Sequence, residues 1–166
     1  MIRSISKKII LAGSYGVGKT SLISRFVYQR FSFSYQATLG VRIDRKVVNL
    51  PNLTLNMLIW DIGGDVTQAK IPESYYLGSS GTIYVFDVSR PNSFEQVGKD
   101  IDLLKDKMPN TPILVVGNKA DLLEPNLLHA LDQQLPVPVN YYTSALDGTN
   151  VEETFLQLAQ SIAQNA

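Results

Sequence analysis

Residues 13–20 read GSYGVGKT, a sequence with the spacing of a phosphate-binding loop that ends in Gly18, Lys19 and Thr20. An apolar run precedes the loop, and a helix-compatible stretch, residues 21–29, follows it. In that setting the glycines let backbone N–H groups approach a phosphate, and the start of a helix adds partial positive charge. Lys19 is then placed for the β- and γ-phosphates of a nucleotide, and the Thr20 hydroxyl for Mg²⁺.

The loop alone leaves ATPases, kinases and GTPases open, and residues 118–121 narrow the choice. Asn118, Lys119 and Asp121 directly follow a second apolar run, and side chains at the carboxyl end of a parallel strand face the ligand crevice. The Asp121 carboxylate can accept hydrogen bonds from the N1–H and the 2-amino group of guanine, whereas adenine lacks this pair of donors. A site of this kind discriminates strongly between bases.

Two further segments carry residue types that can sense a γ-phosphate. Asp61 begins the sequence DIGG after a predicted strand, where a carboxylate can hold Mg²⁺ through water. The Gly64 N–H is placed for the γ-phosphate, and paired glycines let the segment rearrange when that phosphate leaves. Thr38 can add a second hydroxyl to the metal. Each of these two segments alone is weak evidence for a nucleotide site. The order and spacing of all four motifs together make that evidence strong.

The elements that must position these residues alternate along the chain. Strands are predicted at residues 6–12, 41–50, 53–60, 82–87, 113–117 and 139–143, and helices at 21–29, 93–108, 126–134 and from 151 onward. Ser93 and Asn150 are candidate N-caps. The pattern predicts an α/β fold, in which a six-stranded, mostly parallel sheet with one antiparallel strand carries about five helices on both faces.

Composition limits the classes of protein further. The 166 residues are 45% hydrophobic, enough for one domain with a core, and 15 basic residues balance 15 acidic ones, which argues against general binding to nucleic acid or an anionic membrane. Cysteine is absent, which excludes disulfides, thiolate metal sites and cysteine-linked lipids on this chain. We expect a cytoplasmic protein that reaches membranes only through a missing tail or a partner.

The chain resembles a small GTPase of the Ras superfamily over essentially its whole length, and the Rab family is the nearest match. Rab-like stretches are YQATLGV at 35–41, WD at 60–61, SYYLG at 74–78 and TSA at 143–145. The resemblance implies that residues 1–166 form one P-loop NTPase domain of the Ras-like G-domain type. It also implies that this domain binds GTP or GDP together with Mg²⁺. It also implies a monomer.

The resemblance assigns further residues around the nucleotide. Phe31 matches the aromatic beside the guanine ring, although Phe33 leaves open a local packing role for Phe31. Tyr35 matches a tyrosine of switch I that can close over the γ-phosphate. The implied nucleotide contacts are Gly13, Ser14, Gly16, Val17, Gly18, Lys19, Thr20, Ser21, Phe31, Tyr35, Thr38, Gly64, Asn118, Lys119, Asp121, Ser144, Ala145 and Leu146; the metal ligands are Thr20, Thr38 and Asp61.

The last three of these contacts match a Ser-Ala-Lys loop. In relatives the alanine N–H of that loop binds the guanine O6. Leu146 replaces the usual lysine, and we expect a mild loss, because the backbone contact does not depend on that side chain.

The hydrolytic centre departs from the family at two positions. Relatives usually have glutamine where this chain has Asp65, and an ionised aspartate only accepts hydrogen bonds and brings negative charge beside phosphate. Relatives carry a small residue where this chain has Tyr15. Its ring can block an arginine finger, donate its hydroxyl to the γ-phosphate, or turn outward. Gln68 either substitutes for the missing glutamine or faces solvent.

These departures leave two functional hypotheses. The first is a GTP-binding switch that hydrolyses GTP slowly, with Lys19, Thr38, Gly64, Asp65 and Tyr15 at its catalytic centre. The second is a pseudo-GTPase, a nucleotide-bound interaction module without significant hydrolysis. A phosphoryl-transferring kinase conflicts with the guanine-type motif at 118–121.

The resemblance also implies a partner surface. Effector and regulator proteins are expected to bind through the switch regions at Ile43, Trp60 and Tyr75, where Ile43 replaces an aromatic. Trp60 can serve this surface, the core, or both. Pro72 should limit helix in switch II. His129 is expected to lie on the surface.

Overall fold

The computed structural model describes residues 2–34, 37–63 and 68–166. The strands are β1 (Arg3–Ala12), β2 (Val41–Leu50), β3 (Leu53–Ile62), β4 (Ser79–Asp87), β5 (Ile113–Asn118) and β6 (Tyr141–Tyr142). The α-helices are α1 (Lys19–Tyr28), α2 (Glu73–Tyr76), α3 (Phe94–Lys107), α4 (Pro125–Leu131) and α5 (Val151–Gln164), and 3₁₀ turns lie at Gln68–Lys70, Pro91–Ser93 and Ala120–Leu122.

The strands form one six-stranded sheet in the order β2-β3-β1-β4-β5-β6. Only the β2–β3 hairpin is antiparallel; the other described pairs are parallel. Parallel strands with intervening helices bring the carboxyl ends of β1, β4 and β5 to one edge, where loops can build a site. The predicted α/β architecture is confirmed.

The last strand is shorter than its sequence predicts. The strand comprises only Tyr141 and Tyr142 instead of residues 139–143, although the N–H groups of Asn140 and Thr143 also donate to carbonyls of β5. Pro138 lacks an N–H to donate to a ladder. The Asn140 side-chain oxygen accepts from the Val115 N–H at 2.7 Å while the Asn140 N–H donates to the Val115 carbonyl at 2.8 Å, so a side chain takes the place of one backbone acceptor in the ladder.

Two apolar layers cover the two faces of the sheet. On one face, α1 and α5 pack through Phe26 and Phe155, whose rings stack with centroids 4.0 Å apart. On the other face, α3 buries Val97, Ile101 and Leu104. The predicted apolar stripes of both long helices therefore face the core. In the part of the chain that the structure describes, no helix is both long and apolar enough to cross a membrane.

Ser93 and Asn150 occupy the N-cap positions of α3 and α5, as predicted, but neither side chain makes a capping hydrogen bond. The Ser93 hydroxyl donates to the Arg90 carbonyl at 2.7 Å, because Ser93 ends a 3₁₀ turn that runs directly into α3. Asn150 adopts a left-handed conformation, with φ of 56°, and its side-chain amide donates to the Tyr142 carbonyl at 2.9 Å. Both side chains tie loops to the domain instead of capping helices.

Candidate nucleotide-binding site

A cleft of about 740 Å³ opens at the carboxyl edge of the sheet. Its walls come from the loop at 13–20, residues 30–34, the end of β3 and the loops after β5 and β6. The predicted nucleotide residues that line it are Gly16, Gly18, Lys19, Thr20, Ser21, Phe31, Thr38, Asn118, Lys119, Asp121, Ala145 and Leu146.

Four predicted contacts do not line this cleft: Gly13, Ser14, Val17 and Ser144. Gly13, Val17 and Ser144 are buried behind the wall and Ser14 is half-buried. Their described roles are to support the residues that do line it. Tyr35, Gly64 and Asp65 lie outside the described residues, so their assignments stay predictions.

The phosphate-binding loop is wrapped tightly around Lys19. This lysine is the first residue of α1, and its ammonium donates to the carbonyls of Gly13 at 2.9 Å and Ser14 at 3.0 Å. Burial lowers the pKa of Lys19, and the nearby Asp61 carboxylate opposes that shift. An ammonium has three N–H groups, so two bonds to the loop leave one for a ligand.

Glycine is required where this loop meets its neighbours. Gly18 has a φ of 102°, and a Cβ there would lie 2.3 Å from the Asn118 amide nitrogen. A Cβ on Gly13 would lie 2.1 Å from the Val85 carbonyl oxygen. The loop therefore sits against β4 and β5 at distances that no side chain permits.

Thr20, Thr38 and Asp61 meet at what we call the phosphate end of the cleft. The two hydroxyl oxygens are 2.7 Å apart, and Asp61 Oδ2 accepts from Thr20 at 2.5 Å and from Thr38 at 3.4 Å. Asp61 is buried, and its Oδ1 has no hydrogen-bond partner among the described residues.

This donor set fits Mg²⁺. Hard oxygen ligands suit the ion, which commonly takes one or two protein groups together with water and phosphate oxygens. The unpartnered buried oxygen of Asp61 also calls for a cation or a water. Within residues 2–34, 37–63 and 68–166, no cluster of three or more His, Cys, Asp or Glu side chains offers an alternative metal site.

Asn118 and Lys119 bind the phosphate loop to the opposite wall, which we call the base end. Asn118 donates to the Val17 carbonyl at 3.0 Å and accepts from Thr143 at 3.1 Å. Lys119 donates to the Gly16 carbonyl and pairs with Asp87, both at 2.9 Å. These bonds fix the base end relative to the phosphate-binding loop.

Neighbouring side chains stabilise the ionised form of the Asp87 carboxyl. Burial by itself would raise the pKa of this carboxyl, but hydrogen bonds from Ser89 and the ammonium of Lys119 outweigh burial and hold its pKa below the usual value. Asp87 also pairs with Arg90 at 3.3 Å, and Arg90 donates to the Tyr15 carbonyl at 3.3 Å. Lys119 and Arg90 therefore both pair with the Asp87 carboxylate, and they donate to the carbonyls of two consecutive loop residues, Gly16 and Tyr15.

Asp121 lies at the rim of the base end. One of its carboxylate oxygens accepts a hydrogen bond from the buried Ser144 hydroxyl at 2.7 Å, which orients the carboxylate. The following loop is held by Arg25 of α1, which donates to the Ala145 carbonyl at 2.8 Å and to the Leu146 carbonyl at 2.5 Å. Arg25 was missed from the sequence, because 120 residues separate it from the loop it supports.

The aromatic residues at the mouth of the cleft behave differently from one another. Phe31 packs against the core and makes an edge-on contact with Phe33, whose side chain is 85% exposed. The packing role left open for Phe31 is thus present, and the ring also lines the cleft. Tyr15 lines the cleft too and is 44% exposed.

Gln68 does not face solvent, and that alternative is wrong. Its side chain is 2% exposed, and its amide nitrogen donates to the Gly13 carbonyl at 3.1 Å. The polar side chain is buried because it has partners on the phosphate loop and on Tyr76. Pro72 immediately precedes α2, where a proline is tolerated, and it prevents the helix from extending toward the N-terminus. The short length of α2 (Glu73–Tyr76) is set at its other end, where Leu77 is extended and Gly78 has a φ of 74°.

The predicted partner surface is partly exposed. Ile43 is 53% exposed, whereas Trp60 and Tyr75 are half-buried, pack on the α3 side of the core and lie with ring centroids 6.5 Å apart. Lys8 covers the Trp60 ring at 3.9 Å. Trp60 therefore contributes to core and surface together. His129 is exposed, as predicted.

The comparisons with known proteins agree with this geometry. A family model described as Ras family matches residues 8–164. Ras-related protein Rab-7b of Mus musculus is 36% identical over 166 residues, covering 95% of this chain and 82% of that protein. Ras-related protein Rab11E of Lotus japonicus is 34% identical, with 93% and 73% covered. GTP-binding protein ypt3 of Schizosaccharomyces pombe is 34% identical, with 89% and 72% covered. The chain belongs to the Ras family, as a Rab-like member of the Ras superfamily of small GTPases.

Proposed function

We propose that this chain is a GTP-binding molecular switch that hydrolyses GTP to GDP slowly, and that residues 1–166 act as one monomeric G domain. The observation that carries the proposal is a single cleft that combines a phosphate loop, an oxygen-rich metal site and an oriented carboxylate for guanine. Membership of the Ras family supports GTP as the nucleotide.

Each end of the cleft has its own task. The free N–H of Lys19 can donate to the β- and γ-phosphates, while Asp121 selects guanine. Thr20, Thr38 and Asp61 would hold Mg²⁺. When bound, that ion would neutralise charge on the phosphates.

The slow rate rests on the two departures from the family. Asp65 replaces a side chain that can both donate and accept, so it orients an attacking water less effectively. Tyr15 lines the cleft, at a position where the resemblance implies a small residue, and a ring there would occupy space that an arginine finger in trans needs. Arginine fingers contribute roughly 10³–10⁵ in rate, so blocking one leaves a slow enzyme.

The switch would signal through proteins that contact Ile43, Trp60 and Tyr75. Ile43 supplies exposed apolar area, and the half-buried aromatic pair of Trp60 and Tyr75 lies beside it. Apolar and aromatic groups of this kind are typical of protein interfaces.

The nucleotide retained by the purified protein tests the proposal. We expect HPLC of the denatured protein to release guanine nucleotide near one per chain, and protein loaded with GTP to convert it to GDP over hours. Retained GTP with no conversion would instead support the pseudo-GTPase alternative. Failure to bind either guanine nucleotide would overturn both.

A further inference from the structure

Gln68 is a buried polar residue, and the phosphate site described around Lys19 gives it no role. It begins the described part of switch II, residues 68–76, and only 2% of its side chain is exposed. Its amide reaches across to the phosphate loop and donates to the Gly13 carbonyl at 3.1 Å. A buried amide normally keeps such a bond, because losing the partner costs its full desolvation penalty.

The Gly13 carbonyl is also one of the two loop oxygens that hold Lys19. The ammonium donates to it at 2.9 Å, so one oxygen accepts from both side chains. A carbonyl oxygen has two lone pairs and can serve two donors. Its position then helps to decide where the remaining N–H of Lys19 points.

Gln68 is held from its other side by Tyr76, which is 4% exposed. The Tyr76 hydroxyl lies 3.0 Å from the Gln68 carbonyl and 3.4 Å from its side-chain oxygen. Burial, with a smaller contribution from Asp100, raises the pKa of Tyr76 to about 12, so the hydroxyl keeps its proton and donates at physiological pH.

The same short helix is attached to α3. Lys107 pairs with Glu73 at 2.9 Å, and its ammonium lies 5.9 Å from the Tyr76 ring centroid. Glu73 is 83% exposed, so this ion pair adds little stability but faces any partner that docks on α2. A continuous set of contacts thus runs from the exposed surface of α2 to the phosphate lysine.

We propose that Gln68 is a positioning residue that holds Lys19 on the phosphates through the shared Gly13 carbonyl and thereby couples the docking of switch II to nucleotide affinity. The inference rests on the proposed function, since it takes Lys19 to bind the β- and γ-phosphates. Displacing residues 68–76 from the loop weakens the grip on GDP and GTP.

Gln68→Met tests the inference, because methionine preserves length and apolar contact but cannot donate. We expect release of fluorescent GDP and of a fluorescent GTP analogue to accelerate about three- to tenfold, the effect of one hydrogen bond. Competition binding with GMP, which lacks the β-phosphate, should be unchanged, so the affinity ratio of GDP to GMP falls by the same factor.

Gln96→Met is the matched control. Gln96 also loses one side-chain hydrogen bond, to Asp100 at 2.9 Å, but it lies on α3 away from the phosphate loop. We expect this variant to lower Tm without changing the ratio of GDP to GMP affinity. If Gln68→Met also leaves that ratio unchanged, the inference is overturned.

Tyr76→Phe provides a second route should Gln68→Met fail to fold. It keeps the ring and removes the hydroxyl, and we expect GDP release about two- to threefold faster. In a Gln68→Met/Tyr76→Phe double variant the effects should be less than additive. An unchanged release rate in Tyr76→Phe contradicts the inference, whereas loss of guanine-nucleotide binding by wild type would contradict the proposed function itself.

Discussion

The base end and the phosphate end of the cleft differ in how closely they follow the family. At the base end, Asn118, Lys119 and Asp121 each have a partner within the protein, and the sequence matches the family motif. At the phosphate end the residues expected to hold the metal come together, whereas Tyr15 and Asp65 are the two positions at which we expect this chain to depart from its relatives. The contrast suggests that holding a nucleotide and cleaving it rest on separable parts of one cleft.

Asp121→Asn should have the largest effect on the base end. The amide cannot accept from both guanine donors, so we expect GTP and GDP affinity to fall together by about 10²–10⁴, the cost of two hydrogen bonds to a charged group. Competition binding with GTP, GDP and xanthosine diphosphate measures this. Xanthine carries an oxygen where guanine has its 2-amino group, and the Asn amide can donate to that oxygen. The affinity of the variant for xanthosine diphosphate should therefore exceed that of wild type. Equal loss of all three nucleotides would argue against base readout by Asp121.

Thr20→Ala should have a smaller effect, confined to the phosphate end. It removes the hydroxyl that contacts both Thr38 and Asp61, and we expect GDP release in Mg²⁺ to accelerate about 10–100-fold. Release from wild type should accelerate in EDTA, and the variant should respond much less. Ser161→Ala, which removes a hydroxyl bonded to the Gln157 carbonyl on α5, outside the cleft, serves as a control. If EDTA accelerates both proteins equally, Thr20 does not hold the metal.

At both ends of the cleft the sequence predicts the residues of the walls but not all of the residues that support them. The sheet, its hairpin and the residues on both cleft walls follow from apolar runs and motifs with fixed spacing. Arg25 and Gln68 do not, because their roles depend on contacts 120 and 55 residues away. The Gln68 alternative failed for a similar reason: a polar residue in a loop is expected in solvent unless its buried partners are known.

Arg90→Ala should have the smallest effect. Arg90 joins Asp87 to the Tyr15 carbonyl, but it is half-exposed, both of its contacts are 3.3 Å long, and the buried Asp87 keeps a closer partner in Lys119 at 2.9 Å. We expect GDP release to change less than about fivefold. Lys119→Ala, which removes the shorter bonds to Gly16 and Asp87, is the comparison and should release GDP faster. Faster GDP release from Arg90→Ala than from Lys119→Ala would contradict this ranking and identify Arg90 as the main support of the loop.

Single-turnover hydrolysis of preloaded GTP tests the separation of binding from cleavage most directly. The measurement follows GTP conversion in wild type, Asp65→Gln and Tyr15→Gly with Mg²⁺, with a Rab relative alongside and nucleotide affinity measured for each protein. We predict that wild type is slower than the relative, that both substitutions accelerate hydrolysis, and that affinity for GTP stays within a few fold. Wild-type hydrolysis as fast as the relative, slowed by both substitutions, would contradict the account.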